Sequence, residues 1–159
     1  MRSFKSTRYA AFSSTQYTTF SYNSISRGGK VNKTILVIDD NEGDVRLIEE
    51  KLVDAQINVN IIRAKTGEEG IRLAQEVKPD LIMMDIMLPG MNGGEAARIL
   101  KEDERTAQIP LKFLSVLYPN DDKQKQKEIN IGKDVYDLIA KPIDEQTLIL
   151  IMSELRCGQ

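Results

Sequence analysis

The chain has 159 residues, a single cysteine (Cys157) and no histidine. That length can bury one sizeable core. One thiol excludes an internal disulfide and is compatible with a reducing compartment, while the missing imidazole excludes histidine metal sites, serine triads and a phosphohistidine-carrier role. The net charge of −2 conceals an uneven split: residues 1–33 hold six basic residues and no acid, leaving 16 basic against 24 acidic residues downstream, a net of −8. A body that acidic is a poor nucleic-acid binder, and no apolar run approaches a membrane span. The expectation is a cytoplasmic protein with neither nucleic acid nor membrane as partner.

Met1–Lys30 is rich in Ser, Thr, Tyr and Phe, with no sustained period of 2 or 3.6. It reads as a disordered extension, outside a domain spanning residues 31–157. Two origins stay open. One is a basic, Ser-rich targeting segment. The other is translated upstream sequence before a start at Val31, since Arg27-Gly28-Gly29-Lys30 is what a purine-rich ribosome-binding sequence would encode.

Thr34–Ile38 is a β-branched run and a first buried strand. It ends in Asp39-Asp40-Asn41, after which Val45, Ile48 and Leu52 mark a helix. An N-cap accounts for one acid here, not for two in succession beside a strand end. Ile57–Ile62 is a second strand, and Gly67 introduces a helix with Ile71, Ala74 and Val77 inward, ended by Pro79. Leu81–Met84 then forms an apolar run closed by one acid, Asp85, before Pro89 and Gly90 stop regular structure. Such a run suits a strand buried on both faces of a parallel sheet. An acid at its carboxyl end lies where open α/β sheets bind ligands, although a loop-capping role is the bland alternative.

Gly94–Lys101 is helical, with Ala96, Ile99 and Leu100 inward; Pro110 opens a fourth strand, Leu111–Ser115. Asn120–Ile131 is expected to be the next helix, short or frayed because DDKQKQKE is polar on every face. Val135–Ala140 is the fifth strand, followed by Lys141-Pro142 and a closing helix from about Asp144, with Leu148, Ile151, Met152 and Leu155 in one stripe. Leu150 falls opposite that stripe and Ile149 to its side, which suggests a partner or dimer surface; scattered surface apolars are the plainer explanation. Five strand–helix units in strict alternation predict one doubly wound α/β domain with a five-stranded parallel sheet.

In such a sheet the strand-end residues Asp39, Asp40, Asp85, Ser115 and Lys141 converge on one edge. Three carboxylates there repel, and a hard divalent cation with oxygen ligands relieves this; Mg2+ suits few carboxylates and several waters. With an ammonium and a hydroxyl added, these are the parts for handling a phosphoryl group by a carboxylate nucleophile. Singly, a strand-end Ser is more often structural and a lone Lys a solvated charge. The set of five is the signal.

VIDDNEGD, MMDIMLPGMNG, IPLKFLS and AKP, in this order, resemble the receiver domain of two-component response regulators over roughly Val31 to the end. The resemblance implies a flavodoxin-like (βα)5 fold. It implies Asp85 as phosphoryl acceptor and Mg2+ held by Asp40, Asp85 and the backbone carbonyl of Met87, with Asp39 acting through water. Ser115 and Lys141 would contact the phosphoryl group, and Lys141-Pro142 would be cis. It further implies a switch and not a turnover enzyme, a sensor histidine kinase or phosphotransfer protein as donor, and a downstream protein target. Phosphorylation would bias a helix 4–strand 5–helix 5 face, which could also serve a homodimer. NEGDVRLIEE is similar, more weakly, to stand-alone receivers that accompany phytochrome-type kinases.

Three departures stand out. Val116 occupies a position usually held by Ala or Gly, which would narrow access to the acceptor. Leu138 takes the place of the family's switch aromatic, while Tyr136 lies two residues earlier on the same strand face. The stretch from Gly132 to Lys141 is two residues longer than usual. A phosphorylation-independent scaffold is one alternative. A haloacid-dehalogenase-like phosphohydrolase is another, opposed by the adjacent Asp39-Asp40 in place of DxD, by an acid after the third strand, and by the lack of a cap domain.

Overall fold

The computed structural model describes the backbone of residues 10–14, 17–21, 33–116 and 128–157, with side chains for 33–116 and 128–155. Elements run in the order β1 (Ala10–Ser14), β2 (Tyr17–Ser21), β3 (Thr34–Ile38), α1 (Glu42–Asp54), β4 (Asn60–Ala64), α2 (Gly67–Val77), β5 (Leu81–Asp85), α3 (Gly93–Glu102), β6 (Leu111–Val116), β7 (Glu128–Ile131), β8 (Asp134–Lys141) and α4 (Glu145–Cys157).

The sheet order is β1-β2-β4-β3-β5-β6-β8-β7. Its centre, β4-β3-β5-β6-β8, is the expected parallel set of five. Alternation along each central strand feeds two cores. Ile35, Val37, Leu81 and Met83 pack with α1 and α4 through Val45, Ile48, Leu148, Ile151 and Met152. Leu36, Ile38, Ile82 and Met84 pack with α2 and α3 through Leu73, Ala74, Ala96 and Leu100. Helices on both faces of a parallel sheet are the doubly wound arrangement.

Two expectations change. The first thirty residues were expected to hold no regular element, yet β1 and β2 pair antiparallel and β2 continues antiparallel onto β4, with Phe20 opposite Ile61. Tyr, Thr and Phe favour extended backbone, and the outer edge of β4 offers unpaired backbone groups to it. Val31 and the remainder of that stretch lie outside the described residues. The second change is Glu128–Ile131, which is strand and not the end of a helix. It pairs antiparallel with β8, Ile129 opposite Tyr136. Ile129 and Ile131 are half-buried against the α2–α3 core while Glu128 and Asn130 are exposed, a period-2 pattern that a helix cannot satisfy. Gly132, with φ of 64°, begins the two-residue turn into β8. The rest of the expected helix, residues 120–127, lies outside the described residues.

Smaller shifts occur as well. The second parallel strand begins at Asn60, so Ile57 and Val59 are buried in the approach to it. Ala97, not Ile99, completes the buried face of α3.

Candidate functional site

Side-chain alternation brings the site together. Asp39 continues the face of Ile35 and Val37, Asp85 that of Leu81 and Met83, and Lys141 that of Ile139, so all three end on the α1–α4 side of the carboxyl edge. Asn41 caps α1, its side chain accepting from the Gly43 N–H at 2.9 Å. Both aspartates before it are thereby left free of that duty. Asp39 Oδ1 accepts from the Asn41 N–H at 2.9 Å, and Asp85 Oδ1 from the Met87 N–H at 2.9 Å.

One carboxylate oxygen from each of Asp39, Asp40 and Asp85 lies within 4.8 Å of the other two. Asp39 is 2% exposed, whereas Asp40 faces solvent. The Lys141 ammonium lies 2.7 Å from Asp39 Oδ2 and 3.1 Å from Asp44 Oδ2, and it donates a hydrogen bond to Asp85 Oδ2. Asp39 Oδ2 is held by charge alone. It is buried and, among the described residues, accepts no hydrogen bond. Burial pushes the Asp39 carboxyl above the usual carboxylate range, and the Lys141 contact and Asn41 N–H only partly offset this. Burial alone would lower the Lys141 ammonium, but its ion pairs with Asp39, Asp85 and Asp44 outweigh that and hold it above the ordinary lysine value.

Lys141-Pro142 is cis. Ser115 is half-buried near the end of β6, opposite Ala140, and follows Phe113 on the other strand face. Val116 is 58% and Met87 79% exposed, flanking the carboxyl edge with apolar side chains. Tyr136 is buried edge-on to Phe113, ring centroids 5.4 Å apart at 86°, and Leu138 is half-buried in the same core. Burial, with Asp134 nearby, raises the Tyr136 phenol above its usual value. Gly93 opens α3 where a Cβ would come within 2.2 Å of the Asp85 carbonyl oxygen, and its N–H donates to Ile86 O at 2.9 Å. Only glycine fits there.

The sequence reading missed Asp44. Its position in the first turn of α1, over the face that carries Asp39 and Lys141, was the available signal.

Comparison with known proteins agrees with this geometry. The model of the response regulator receiver domain matches residues 35–153. Protein PilH of Pseudomonas aeruginosa is 30% identical over 124 residues, covering 78% of this chain and 98% of PilH. The crystal structure of a response regulator from Chloroflexus aurantiacus superposes with a TM-score of 0.64 at 25% identity, over 77% of this chain and 96% of that one. The receiver domain of sensor histidine kinase PA1611 of Pseudomonas aeruginosa, described with a magnesium ion coordinated in its active site cleft, gives 0.62 at 25% identity, over 78% and 97%. The chain belongs to the response regulator receiver family, the regulatory module of two-component systems. Among the described residues, no helix is long and apolar enough to cross a membrane.

Proposed function

We propose that this chain is a cytoplasmic phosphorylation switch whose acceptor is Asp85. An Asp85 carboxylate oxygen bonds to phosphorus as the P–N bond of a kinase or phosphotransfer-protein phosphohistidine breaks. The electron pair leaves on the imidazole nitrogen, and an acyl phosphate forms. Hydrolysis returns the carboxylate and inorganic phosphate, so the chemistry is confined to its own modification. The observation that carries this reading is Lys141, an ammonium already bonded to Asp85 and 2.7 Å from a buried Asp39 oxygen that accepts no hydrogen bond.

Three carboxylates within reach of one another, one with an unsatisfied buried oxygen, fit a hard cation of the Mg2+ kind. Asp39, Asp40, Asp85 and the Met87 carbonyl would hold it. When bound, Mg2+ supplies positive charge against the phosphoryl oxygens. Lys141 supplies a second, fixed charge and Ser115 a hydroxyl, while Val116 limits the approach of water and donor. The state of Asp85 is read by a downstream protein or a second copy on the α4–β8 side, where Val135, Ile149 and Leu150 are exposed.

The test is intact mass after incubation with acetyl phosphate and Mg2+. A phosphate-sized gain, lost without Mg2+ and in Asp85→Ala, is expected. No gain with Mg2+ bound would overturn the switch in favour of a phosphorylation-independent scaffold.

A further inference from the structure

The Lys141 side chain is 7% exposed, and its three partners among the described residues are all carboxylates: Asp39, Asp85 and Asp44. Leu47, Leu114 and Ile143 line the hollow beside it, so its immediate surroundings are otherwise apolar. Two of the three partners are shared. Asp39 and Asp85 also belong to the oxygen cluster that a cation would occupy; Asp44 does not. Asp44 comes from α1, at 3.1 Å from the ammonium with its side chain 29% exposed, and it contacts the cluster through Lys141.

An ammonium and a divalent cation cannot both draw on the Asp39 and Asp85 oxygens without repelling each other at short range. A buried ammonium stripped of partners is strongly unfavourable. From this geometry we propose that Asp44 is a positioning residue for Lys141, keeping the ammonium in the site when Asp39 and Asp85 turn to a cation. The proposal rests on the reading of the cluster as a cation site. It makes Asp44 the group that lets one pocket hold two kinds of positive charge, a fixed lysine and an exchangeable ion.

The experiment is Mg2+ titration by isothermal calorimetry on the full chain, with no phosphoryl donor present. Asp44→Asn, nearly the same shape without the charge, is expected to weaken Mg2+ binding by about fivefold or more, the size of an ordinary coupling between contacting groups. Asp44→Glu is expected to restore most of it. In a Lys141→Met background the same Asp44→Asn change is expected to cost less than half as much on a logarithmic scale, because the ammonium it serves is gone. An unchanged affinity in Asp44→Asn overturns the proposal. So does an equal loss in both backgrounds, which would mean a simple field effect of one more acid.

A second readout needs no Lys141 variant. With Mg2+ saturating, the Lys141 ammonium observed by nitrogen NMR should resist solvent exchange in the wild type and in Asp44→Glu, and exchange faster in Asp44→Asn. Equal exchange in all three overturns the proposal. Phosphate gain on Asp85 is measured separately, so failure of the switch and failure of this role for Asp44 leave different records.

Discussion

At the amino ends of the strands, Lys33 meets Asp80 at 3.1 Å, and Lys112 lies between Asp137 and Glu154, both more than half exposed. At the carboxyl ends, one lysine among the described residues, Lys141, faces Asp39, Asp44 and Asp85, with Asp40 beside them, and the Asp39 side chain is fully buried. The same residue types serve opposite ends differently. Water screens the surplus acids at the amino end, so the ion pairs there are ordinary fastenings. At the carboxyl end burial removes that screening, and the surplus negative charge becomes an unfavourable term that a cation can relieve. The contrast between the two ends is thus written in the exposure of their carboxylates.

The strongest way to break this contrast is to remove Lys141 from the crowded end. Lys141→Met should lower unfolding free energy by roughly 3–5 kcal/mol in urea melts, since it leaves buried Asp39 uncompensated. Next in size is the cation itself. Mg2+ at a hundred times its dissociation constant should stabilise the wild type by about 2.7 kcal/mol, and it should do far less for Asp85→Asn; chelation should reverse the gain.

Asp39→Asn sharpens the comparison with the opposite sign. Deleting a buried acid from a repulsive cluster should stabilise the apo protein by roughly 1–2 kcal/mol while weakening Mg2+ binding. The pH dependence follows from the raised carboxyl. The folded state binds that proton more tightly than the unfolded chain does, so ionised Asp39 is the destabilising form. The gain from Asp39→Asn should be fullest above the raised folded value, where Asp39 is ionised, and should fade as pH drops through it toward the ordinary 3.8. At the amino end, Lys33→Met or Lys112→Met should each cost no more than about 1 kcal/mol, and neither should alter Mg2+ affinity.

The five central strands and the convergence of Asp39, Asp40, Asp85 and Lys141 were legible because buried parallel strands write themselves as apolar runs and end at one edge. Strand starts were less so. Ile57 and Val59 are as apolar as any strand residue, but the Asn60 N–H, donating to Lys33 O, marks where β4 begins to pair, and hydrophobicity does not encode that. In Glu128–Ile131 the alternation and the following Gly132 were in plain view, but the polar run before them drew the segment toward a helix. Asp44 was missed because strand-end reasoning looks along the sheet, whereas its partner is reached from a helix above it.

Gly93 has a mechanical consequence. With its N–H tied to Ile86 and no room for a Cβ beside the Asp85 carbonyl, residues 86–92 form a closed loop between β5 and α3. Chemical variety and positional freedom are separated within those few residues. Met87 and Pro89 turn outward, where many side chains would be accommodated, while the backbone beneath them is pinned at both ends. A displacement of Asp85 is therefore expected to carry through this short, closed loop to the start of α3.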